Sequence, residues 1–404
     1  MEIPTAALID CGLPAEEARQ LVDLLRQIPV QADEDLWRFL IAEILTPAIP
    51  FCVHQFLYQQ VFKERIAKGE PAPAWFPGER ELRTSHLAGW VSDLNLVDFD
   101  SLYKWSITNR DEFTAKLIDS LNIQFREPPQ QIMDLKAGVE QVEWLRGATL
   151  NIVESCLRDK SEETAILFQR GTDTVQRISY RELREITARV ANGLTEAGID
   201  PGERVAVMLP MTPESVAIFL GIIAAGCVVV TIADSFSAEE MQVRLKITAP
   251  RLIFIQDVIT RNGRQLPLYA KLESLSELPA VVLPESASLS VSLREHDQLW
   301  SDFLSASLNL DCVPRKPQDE TTILFSSGTT GSPKGIPWDQ TTPIKSAGDG
   351  YLHHDIHAGD IVCWPTNLGW MMGPWLVYAA LINDATIALS DAVPTSRRFC
   401  EFVQ

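Results

Sequence analysis

Apolar residues in the first 66 positions recur every three or four residues, which is the spacing of an amphipathic helix. One such stripe comprises Ala18, Leu21, Val22 and Leu25, and Pro14 stands where a first helical turn would begin. A second stripe comprises Trp37, Leu40, Ile41, Ile44 and Leu45 and ends before Pro47. We predict a helical extension over residues 1–66 whose stripes form its own core. The proline-rich residues 69–78 that follow have the composition of a linker.

From Ala165 onward, short apolar runs alternate with helical patterns. Ser179 and Glu182 form a capping box at the start of a helix that Gly198 closes. The elements predicted after it are a strand at 205–209, a helix at 213–225, a strand at 227–232, a helix capped by Ser237, and a strand at 252–255. This alternation predicts an α/β fold of mostly parallel, layered sheets, with ligands outside the carboxyl ends of the strands. Residues 274–293 show little pattern and are predicted to form an exposed connection.

Composition narrows the range of partners. With 404 residues, 46% of them hydrophobic, the chain can bury large cores and should hold two or three domains or subdomains. Its formal charge of −19 argues against nucleic acid or an anionic membrane, since either would need a basic face. The most apolar stretch, residues 216–230, is shorter than a membrane span and is interrupted by Gly221 and Gly226. We expect no nucleic-acid partner and no membrane span.

The seven cysteines are scattered without CxxC pairs. This pattern fits a reducing compartment and predicts neither a disulfide framework nor a zinc site. Residues 1–4 lack the basic and apolar regions of a secretory signal. We therefore predict a cytoplasmic location, with the peroxisome as the alternative if a targeting signal lies at the C-terminus of the full-length protein.

A glycine- and hydroxyl-rich run follows the apolar, β-prone residues 322–325. Its members are Ser326, Ser327, Gly328, Thr329, Thr330, Gly331, Ser332, Pro333, Lys334 and Gly335. The glycines permit close backbone approach, the hydroxyls and N–H groups can surround an anion, and the lysine adds a point charge. The spacing differs from the P-loop, which has four residues between its glycines. A flexible linker is the alternative, but linkers rarely follow a strand and end in Pro-Lys-Gly. The pattern predicts a polyphosphate clamp.

This run resembles the phosphate-binding signature of the adenylate-forming (AMP-binding) superfamily of acyl-CoA synthetases. The likeness extends from about Trp105 to the end of the chain and is closest to the acetyl-CoA synthetase branch. Within that branch, residues 335–338 and 363–375 resemble the plant peroxisomal acyl-activating enzymes and their microbial relatives. The resemblance implies a linker and wrapping segment at 67–160 and an AMP-binding domain at 161–404.

The resemblance also implies a reaction: ATP, with Mg²⁺, converts a small carboxylic acid to an acyl-adenylate, and CoA then takes the acyl group as a thioester. It assigns the ATP phosphates to Ser326, Ser327, Gly328, Thr329, Thr330, Gly331, Ser332, Lys334 and Gly335, with Thr329 and Lys334 in catalytic roles.

A second group, Arg261, Gly263 and Arg264, follows a predicted strand and a short loop. Two guanidinium groups around a glycine can hold one phosphate. The group resembles the element that grips the 3′-phosphate of CoA in acetyl-CoA synthetases, and the alternative is a solvated basic turn.

The third group is Gly369, Trp370 and Gly373. These residues match the family pattern that lines the passage for the acyl group and pantetheine, with Trp370 as a wall. Asn367 stands where that pattern has Asp and Pro374 where it has His, so a charged or acid/base role there is lost or moved. Simple core packing is the alternative for Trp370.

Three histidines raise the question of a metal site. His353 and His357 have helical spacing, but no Glu follows His353 as a zincin requires. Gly348, Gly350 and Gly359 favour a loop, and Asp355 is the nearby carboxylate that could join a metal site. We predict solvated loop histidines and no metal.

The sequence stops at Gln404, before the family's adenine- and ribose-binding motifs and its small C-terminal domain. We therefore expect this to be a fragment that is inactive alone. The alternatives are a noncatalytic nucleotide-binding or interaction protein derived from the family and, more distantly, a histidine-dependent metalloenzyme. The identity of the acid and the oligomeric state cannot be predicted.

Overall fold

A computed structural model describes residues 3–28, 32–46, 48–75, 77–171, 174–261, 264–273, 277–326 and 333–404. The chain divides into two compact units, Met1–Gly89 and Trp90–Gln404. The finer domain boundaries after residues 66 and 160 remain predictions. Over the described residues, every helix falls short of the length or the apolar character that a membrane crossing requires.

The N-terminal unit is helical, as the 3.6-residue period predicts. Its helices are α1 (Thr5–Asp10), α2 (Ala15–Gln27), α3 (Asp33–Glu43), α4 (Phe51–Val61), α5 (Lys63–Lys68) and α6 (Glu79–Thr84), and the division between the units falls within α7 (His86–Asp93). The predicted stripe of α2 is buried at Ala18, Leu21, Val22 and Leu25. Trp37 packs edge-on against Tyr58, with ring centroids 5.3 Å apart, in the same core. Helix amphipathicity therefore accounts for this unit.

The proline-rich segment after α5 is bonded to the helices. The Tyr58 hydroxyl donates to the Ala72 carbonyl. The Trp37 indole N–H donates to the Ala74 carbonyl at 2.6 Å. Prolines supply no N–H of their own, so the carbonyls of such a segment are its main means of bonding. Composition indicated a linker, and the structure shows these residues held on the helical core.

One cysteine prediction was wrong. Cys11, at the end of α1, forms a disulfide with Cys52 in the first turn of α4, with Cα atoms 5.1 Å apart. The two are 41 residues apart in sequence, and spacing alone does not reveal pairing at that separation. The remaining cysteines, Cys156, Cys227, Cys312, Cys363 and Cys400, are free.

The C-terminal unit contains the remaining elements. In chain order they begin with α8 (Phe99–Thr108), α9 (Arg110–Ser120), β1 (Gln131–Asp134), β2 (Glu143–Arg146), α10 (Val153–Cys156), β3 (Thr164–Gln169), β4 (Gln176–Ser179), α11 (Tyr180–Glu196), β5 (Arg204–Met208), α12 (Pro213–Ala224) and β6 (Val228–Thr231). They continue with α13 (Ala238–Thr248), β7 (Leu252–Gln256), β8 (Val258–Arg261), β9 (Arg264–Pro267), α14 (Tyr269–Glu273), β10 (Ala280–Leu283), β11 (Gln298–Leu299), α15 (Trp300–Phe303), β12 (Glu320–Ser326) and β13 (Lys334–Asp339). The last are α16 (Thr342–His353), β14 (Ile361–Cys363), α17 (Met372–Leu381), β15 (Thr386–Ser390) and α18 (Arg397–Val403).

Two sheets organise this unit. The larger has seven strands in the order β11-β10-β7-β5-β6-β12-β13, and every neighbouring pair is parallel except β12 and β13. The smaller has four strands in the order β14-β15-β3-β4, with β3 and β4 antiparallel. This confirms the predicted α/β fold with mostly parallel sheets. The carboxyl ends of β5, β6, β7 and β12 lie at one edge of the larger sheet because these strands are parallel.

Local helix signals are confirmed. Ser179 accepts from the Glu182 N–H, and the Glu182 carboxylate accepts from the Ser179 N–H, so the capping box opens α11. Equivalent boxes begin α12 at Thr212 and α13 at Ser237. Each satisfies backbone donors that a helix start leaves without partners.

Two local predictions were wrong. Residues 280–283, within the predicted exposed connection, form the buried strand β10, which pairs with β7. Gly348 and Gly350, interpreted as loop signals, lie inside α16. A Cβ on Gly348 would lie 2.8 Å from Leu117 Cδ2, and one on Gly350 would lie 3.1 Å from the Ala379 Cβ. These glycines permit close packing against the helix.

Candidate active site

The two ends of the glycine-rich run are strand neighbours. Ser326, the last residue of β12, pairs with Lys334, the first residue of β13, and Phe325 pairs with Gly335. This confirms the predicted strand before the run. Ser327, Gly328, Thr329, Thr330, Gly331 and Ser332 lie outside the described residues. Because β12 runs parallel to β6, the run leaves the sheet at the carboxyl ends of the parallel strands. Lys334 is exposed there.

A cavity of about 570 Å³ is lined by residues of both sheets. The four-stranded sheet contributes Phe168 and residues 388–390, and the loops after β5 and β6 of the larger sheet contribute Met211 and Asp234. Arg261 and Trp370 line it as well. Ligands of parallel α/β sheets are expected at this place, beyond the carboxyl ends of the strands.

Arg261 and Arg264 are paired neighbours in the hairpin of β8 and β9. Arg261 lines the cavity, whereas Arg264 is exposed and is not among the described lining residues. Gly263 lies outside the described residues. One terminal nitrogen of Arg261 lies 2.8 Å from each carboxylate oxygen of Asp234. The structure thus brings one of the two predicted arginines to the cavity, already bonded to a carboxylate.

Asp234 was missed by sequence reasoning. Its side chain is only 1% exposed, and burial raises its pKa even though Arg261 acts in the opposite direction. The turn that carries it is held by Lys271, whose Nζ donates to the carbonyl of Asp234 at 3.1 Å and to that of Phe236 at 2.7 Å. A carboxylate shortly after a buried parallel strand was the signal that could have found it, because strand ends of this kind face ligands.

Trp370 is half exposed on the cavity wall. Its ring is 5.7 Å from that of Phe236 in a T-shaped contact. The Phe236 ring also contacts a cation. The Arg244 guanidinium lies 3.8 Å from the Phe236 ring centroid and 5.4 Å from that of Phe325. Burial lowers the pKa of Arg244. A continuous set of contacts therefore joins the cavity wall to the strand that carries the glycine-rich run.

The backbone near Trp370 passes so close to neighbouring backbone that two of its positions require glycine. A Cβ on Gly369 would lie 2.2 Å from the Ala233 backbone nitrogen, and one on Gly373 would lie 2.3 Å from the Asn367 carbonyl oxygen. No side chain fits at such distances without backbone movement. Gly369 allows the loop after β14 to lie directly against the turn that carries Asp234, and Gly373 allows the start of α17 to pack on that loop. Pro374, at the position where the family pattern has His, is buried in α17.

The cavity lining also includes an acidic group. Glu285 accepts a hydrogen bond from the Gln256 side chain, and burial raises its pKa. Arg170 donates to the Glu285 carbonyl at 2.7 Å. The cavity therefore presents both signs of charge, so a ligand with anionic and hydrogen-bond-donating parts would suit it.

The histidines have separate environments. His353 ends α16 and lies 3.9 Å from Asp349, and His357 lies 3.2 Å from Asp355. The His354 ring packs against Trp375, with centroids 4.9 Å apart. His353 and His357 thus face different carboxylates, and neither lines the cavity described above.

Comparison with known proteins identifies the family. The AMP-binding enzyme family model matches residues 153–404, which is more than half of the sequence. The model of the acetyl-coenzyme A synthetase N-terminus matches residues 99–156, and that of the SAM domain of probable acyl-activating enzyme 17/18 matches residues 1–63. The chain belongs to the AMP-binding enzyme family, as the resemblance implied.

Individual relatives agree with this assignment. The chain is 38% identical over 396 residues to probable acyl-activating enzyme 17, peroxisomal, of Arabidopsis thaliana, covering 92% of this chain and 54% of that protein. It is 36% identical over 426 residues to hexanoyl-CoA synthase of Cannabis sativa, covering 98% of this chain and 59% of that protein. The structure of acetoacetyl-CoA synthetase from Streptomyces lividans matches with a TM-score of 0.74 and 26% identity, over 80% of this chain and 52% of that chain. The chain thus spans little more than half the length of these relatives.

Proposed function

We propose that the whole protein is an acid-thiol ligase that activates a carboxylic acid with ATP and transfers the acyl group to CoA. In this reaction a carboxylate oxygen attacks the α-phosphorus of ATP, pyrophosphate leaves, and the CoA thiol then displaces AMP from the acyl-adenylate. The observation that carries the proposal is the glycine-rich run between paired strands at the same sheet edge as a cavity holding Arg261 and Trp370.

The proposed ATP site is the glycine-rich run. Ser326 and Gly335 belong to the strands that fix its two ends, and Lys334 places an exposed positive charge beside it. We assign Thr329 and Lys334 the catalytic roles, because Lys334 can stabilise charge on the phosphates and Thr329 adds a hydroxyl donor. Mg²⁺ is proposed to bind with ATP, where it would neutralise phosphate charge.

The proposed CoA site is the cavity. The Nε and the second terminal nitrogen of Arg261 make no hydrogen bond with described residues, so two donors remain for a phosphate. Arg264 lies on the neighbouring strand and would approach the same phosphate. Gly263, which lies outside the described residues, belongs to the same proposed group. Trp370, Gly369 and Gly373 would shape the passage for the acyl group and pantetheine.

The acid is proposed to be a small carboxylic acid. One relative is named for a hexanoyl product and the structural relative for acetoacetyl-CoA, so short and medium acids are the first to test. Probable acyl-activating enzyme 17 carries the description peroxisomal, which supports the peroxisomal alternative to the cytoplasmic location.

Pyrophosphate exchange into ATP tests the first half-reaction without CoA. The whole protein with MgATP, labelled pyrophosphate and a panel of short, medium and aromatic acids should show exchange that depends on the acid. Adding CoA should then yield a thioester and AMP. ATP binding without exchange for any acid would instead support a noncatalytic nucleotide-binding protein.

A further inference from the structure

Arg261 does not enter the cavity as a free cation. One terminal nitrogen contacts both carboxylate oxygens of Asp234 at 2.8 Å. The two partners differ sharply in exposure, because the Arg261 side chain is 49% exposed and that of Asp234 is 1% exposed. A ligand can therefore reach the guanidinium, whereas the carboxylate behind it is closed off from water.

Asp234 cannot easily turn away from Arg261. Lys271 holds the main chain of the turn through the carbonyls of Asp234 and Phe236. The loop at Gly369 packs so closely on Ala233 that even a methyl group would meet its backbone. A buried carboxylate without a partner is costly, so loss of the Arg261 contact would be unfavourable. The Asp234 carboxylate is therefore held in place, and its two contacts hold the Arg261 guanidinium in the cavity.

The same contact reduces the positive charge that a ligand meets. A phosphate that binds the remaining Arg261 donors approaches a guanidinium whose other side faces an anion, in a partly buried place where charges act strongly. We infer that Asp234 is a positioning residue that holds Arg261 in the cavity and weakens its attraction for a phosphate monoester. It would thereby lower the preference of the site for CoA over dephospho-CoA, which lacks the 3′-phosphate.

This inference rests on the proposed CoA site, and binding alone tests it. Dissociation constants for CoA and dephospho-CoA are measured by calorimetry with the whole protein. Asp234→Asn keeps a hydrogen-bond acceptor of the same shape and removes the charge. Its preference for CoA over dephospho-CoA should rise by about threefold to tenfold relative to wild type. An unchanged or reduced preference in a folded variant would overturn the inference.

Two further variants separate the causes. In the double variant Arg261→Ala with Asp234→Asn, the increase in preference for CoA should disappear, because the charge that Asp234 offsets is gone. This variant leaves no buried carboxylate unpaired. The matched control is Asp297→Asn. Asp297 is fully buried and paired with Arg294 at 2.7 Å, but it lies outside the cavity lining, so the preference should stay at the wild-type value. An increase in preference for CoA that persists in the double variant would show that Asp234 does not act through Arg261.

Wild type supplies a test that needs no variant. If Arg261 bound the 3′-phosphate with a full charge-assisted contact, wild type would bind CoA about 10-fold to 150-fold more tightly than dephospho-CoA. Partial cancellation predicts a ratio of about tenfold or less, and a larger ratio would overturn the inference. Asp234→Ser, also neutral, replaces Asp234→Asn if the latter does not fold. Failure of the proposed ligase function would appear as absent pyrophosphate exchange, which is distinct from any change in this ratio.

Discussion

The side-chain amide of Asn367 donates a hydrogen bond to the main-chain carbonyl of Leu209 at 2.9 Å. Its oxygen accepts from the Gly369 N–H at 2.8 Å, and the residue is buried. Leu209 follows β5 of the larger sheet and Asn367 follows β14 of the smaller one, so a single side chain ties the two sheets together beside the cavity. An amide can donate and accept at once, whereas a carboxylate can only accept. This is a physical reason for Asn at position 367, where the pattern of the acetyl-CoA synthetase branch has Asp.

Asn367→Asp should therefore destabilise the C-terminal unit. The carboxylate would face the Leu209 carbonyl without a donor, which costs about 1–3 kcal/mol in the free energy of unfolding. Urea denaturation at pH 7 measures it. Asn309→Asp adds the same charge at an exposed position and should change the free energy by less than about 0.5 kcal/mol. Equal stability of the two variants would show that the Leu209 contact contributes nothing.

Gly369→Ala tests the close approach to Ala233. The added methyl group would sit 2.2 Å from a backbone nitrogen, so the loop must move, at a cost of about 2 kcal/mol or more. The melting temperature should fall, and CoA binding should weaken because Trp370 moves with the loop. Gly89→Ala is the control, since its Cβ would meet nothing within 4 Å. A Gly369→Ala protein with wild-type melting temperature would mean that this packing is looser than described.

Lys334→Ala tests the phosphate clamp. Removing one charge-assisted contact is worth about 1.5–3 kcal/mol, so acid-dependent pyrophosphate exchange should fall about tenfold or more. Lys345→Ala is the matched control, because Lys345 is exposed on α16 and pairs with Asp349. Exchange that falls equally in both variants, or in neither, would remove Lys334 from the mechanism.

The α11 capping box gives a pH-dependent prediction. The backbone N–H of Ser179 lowers the pKa of Glu182, so the folded state favours the ionised carboxylate. That contribution is complete above the usual glutamate pKa and is lost as pH falls through the lowered pKa. Glu182→Gln should therefore be less stable than wild type at pH 7 by about 0.5 kcal/mol, a small value because the site is exposed to water. Urea denaturation at pH 7, 5 and 3.5 should show this difference shrinking with acidity. A difference that grows toward low pH would contradict the assignment.

Local signals predicted local structure well. The caps predicted at Ser179 and Ser237 depend on a partner three residues on, and the structure forms both. The strand β10 was missed because only four apolar residues form it, which is too short for a clear periodicity. Gly348 was misinterpreted because a helix tolerates glycine where a neighbour leaves no room for a Cβ.

Candidate site residues could be proposed from the sequence only where they are contiguous. The glycine-rich run and the hairpin of Arg261 and Arg264 could be identified, because each is a short motif. The contact between Arg261 and Asp234 joins residues 27 apart, and that between Asn367 and Leu209 joins residues 158 apart. Such pairs arise from strand order and loop packing, which a single sequence does not reveal.

The proline-rich segment of the N-terminal unit has a practical consequence for truncation. Composition suggests cutting the helical unit free after α5. The Trp37 indole is buried and donates to Ala74, and the Tyr58 hydroxyl donates to Ala72. A cut before these carbonyls would leave both donors without partners and expose the aromatic surface they border. An isolated form of this unit should therefore retain the residues through Ala74, because the Ala72 and Ala74 carbonyls belong to its folded body.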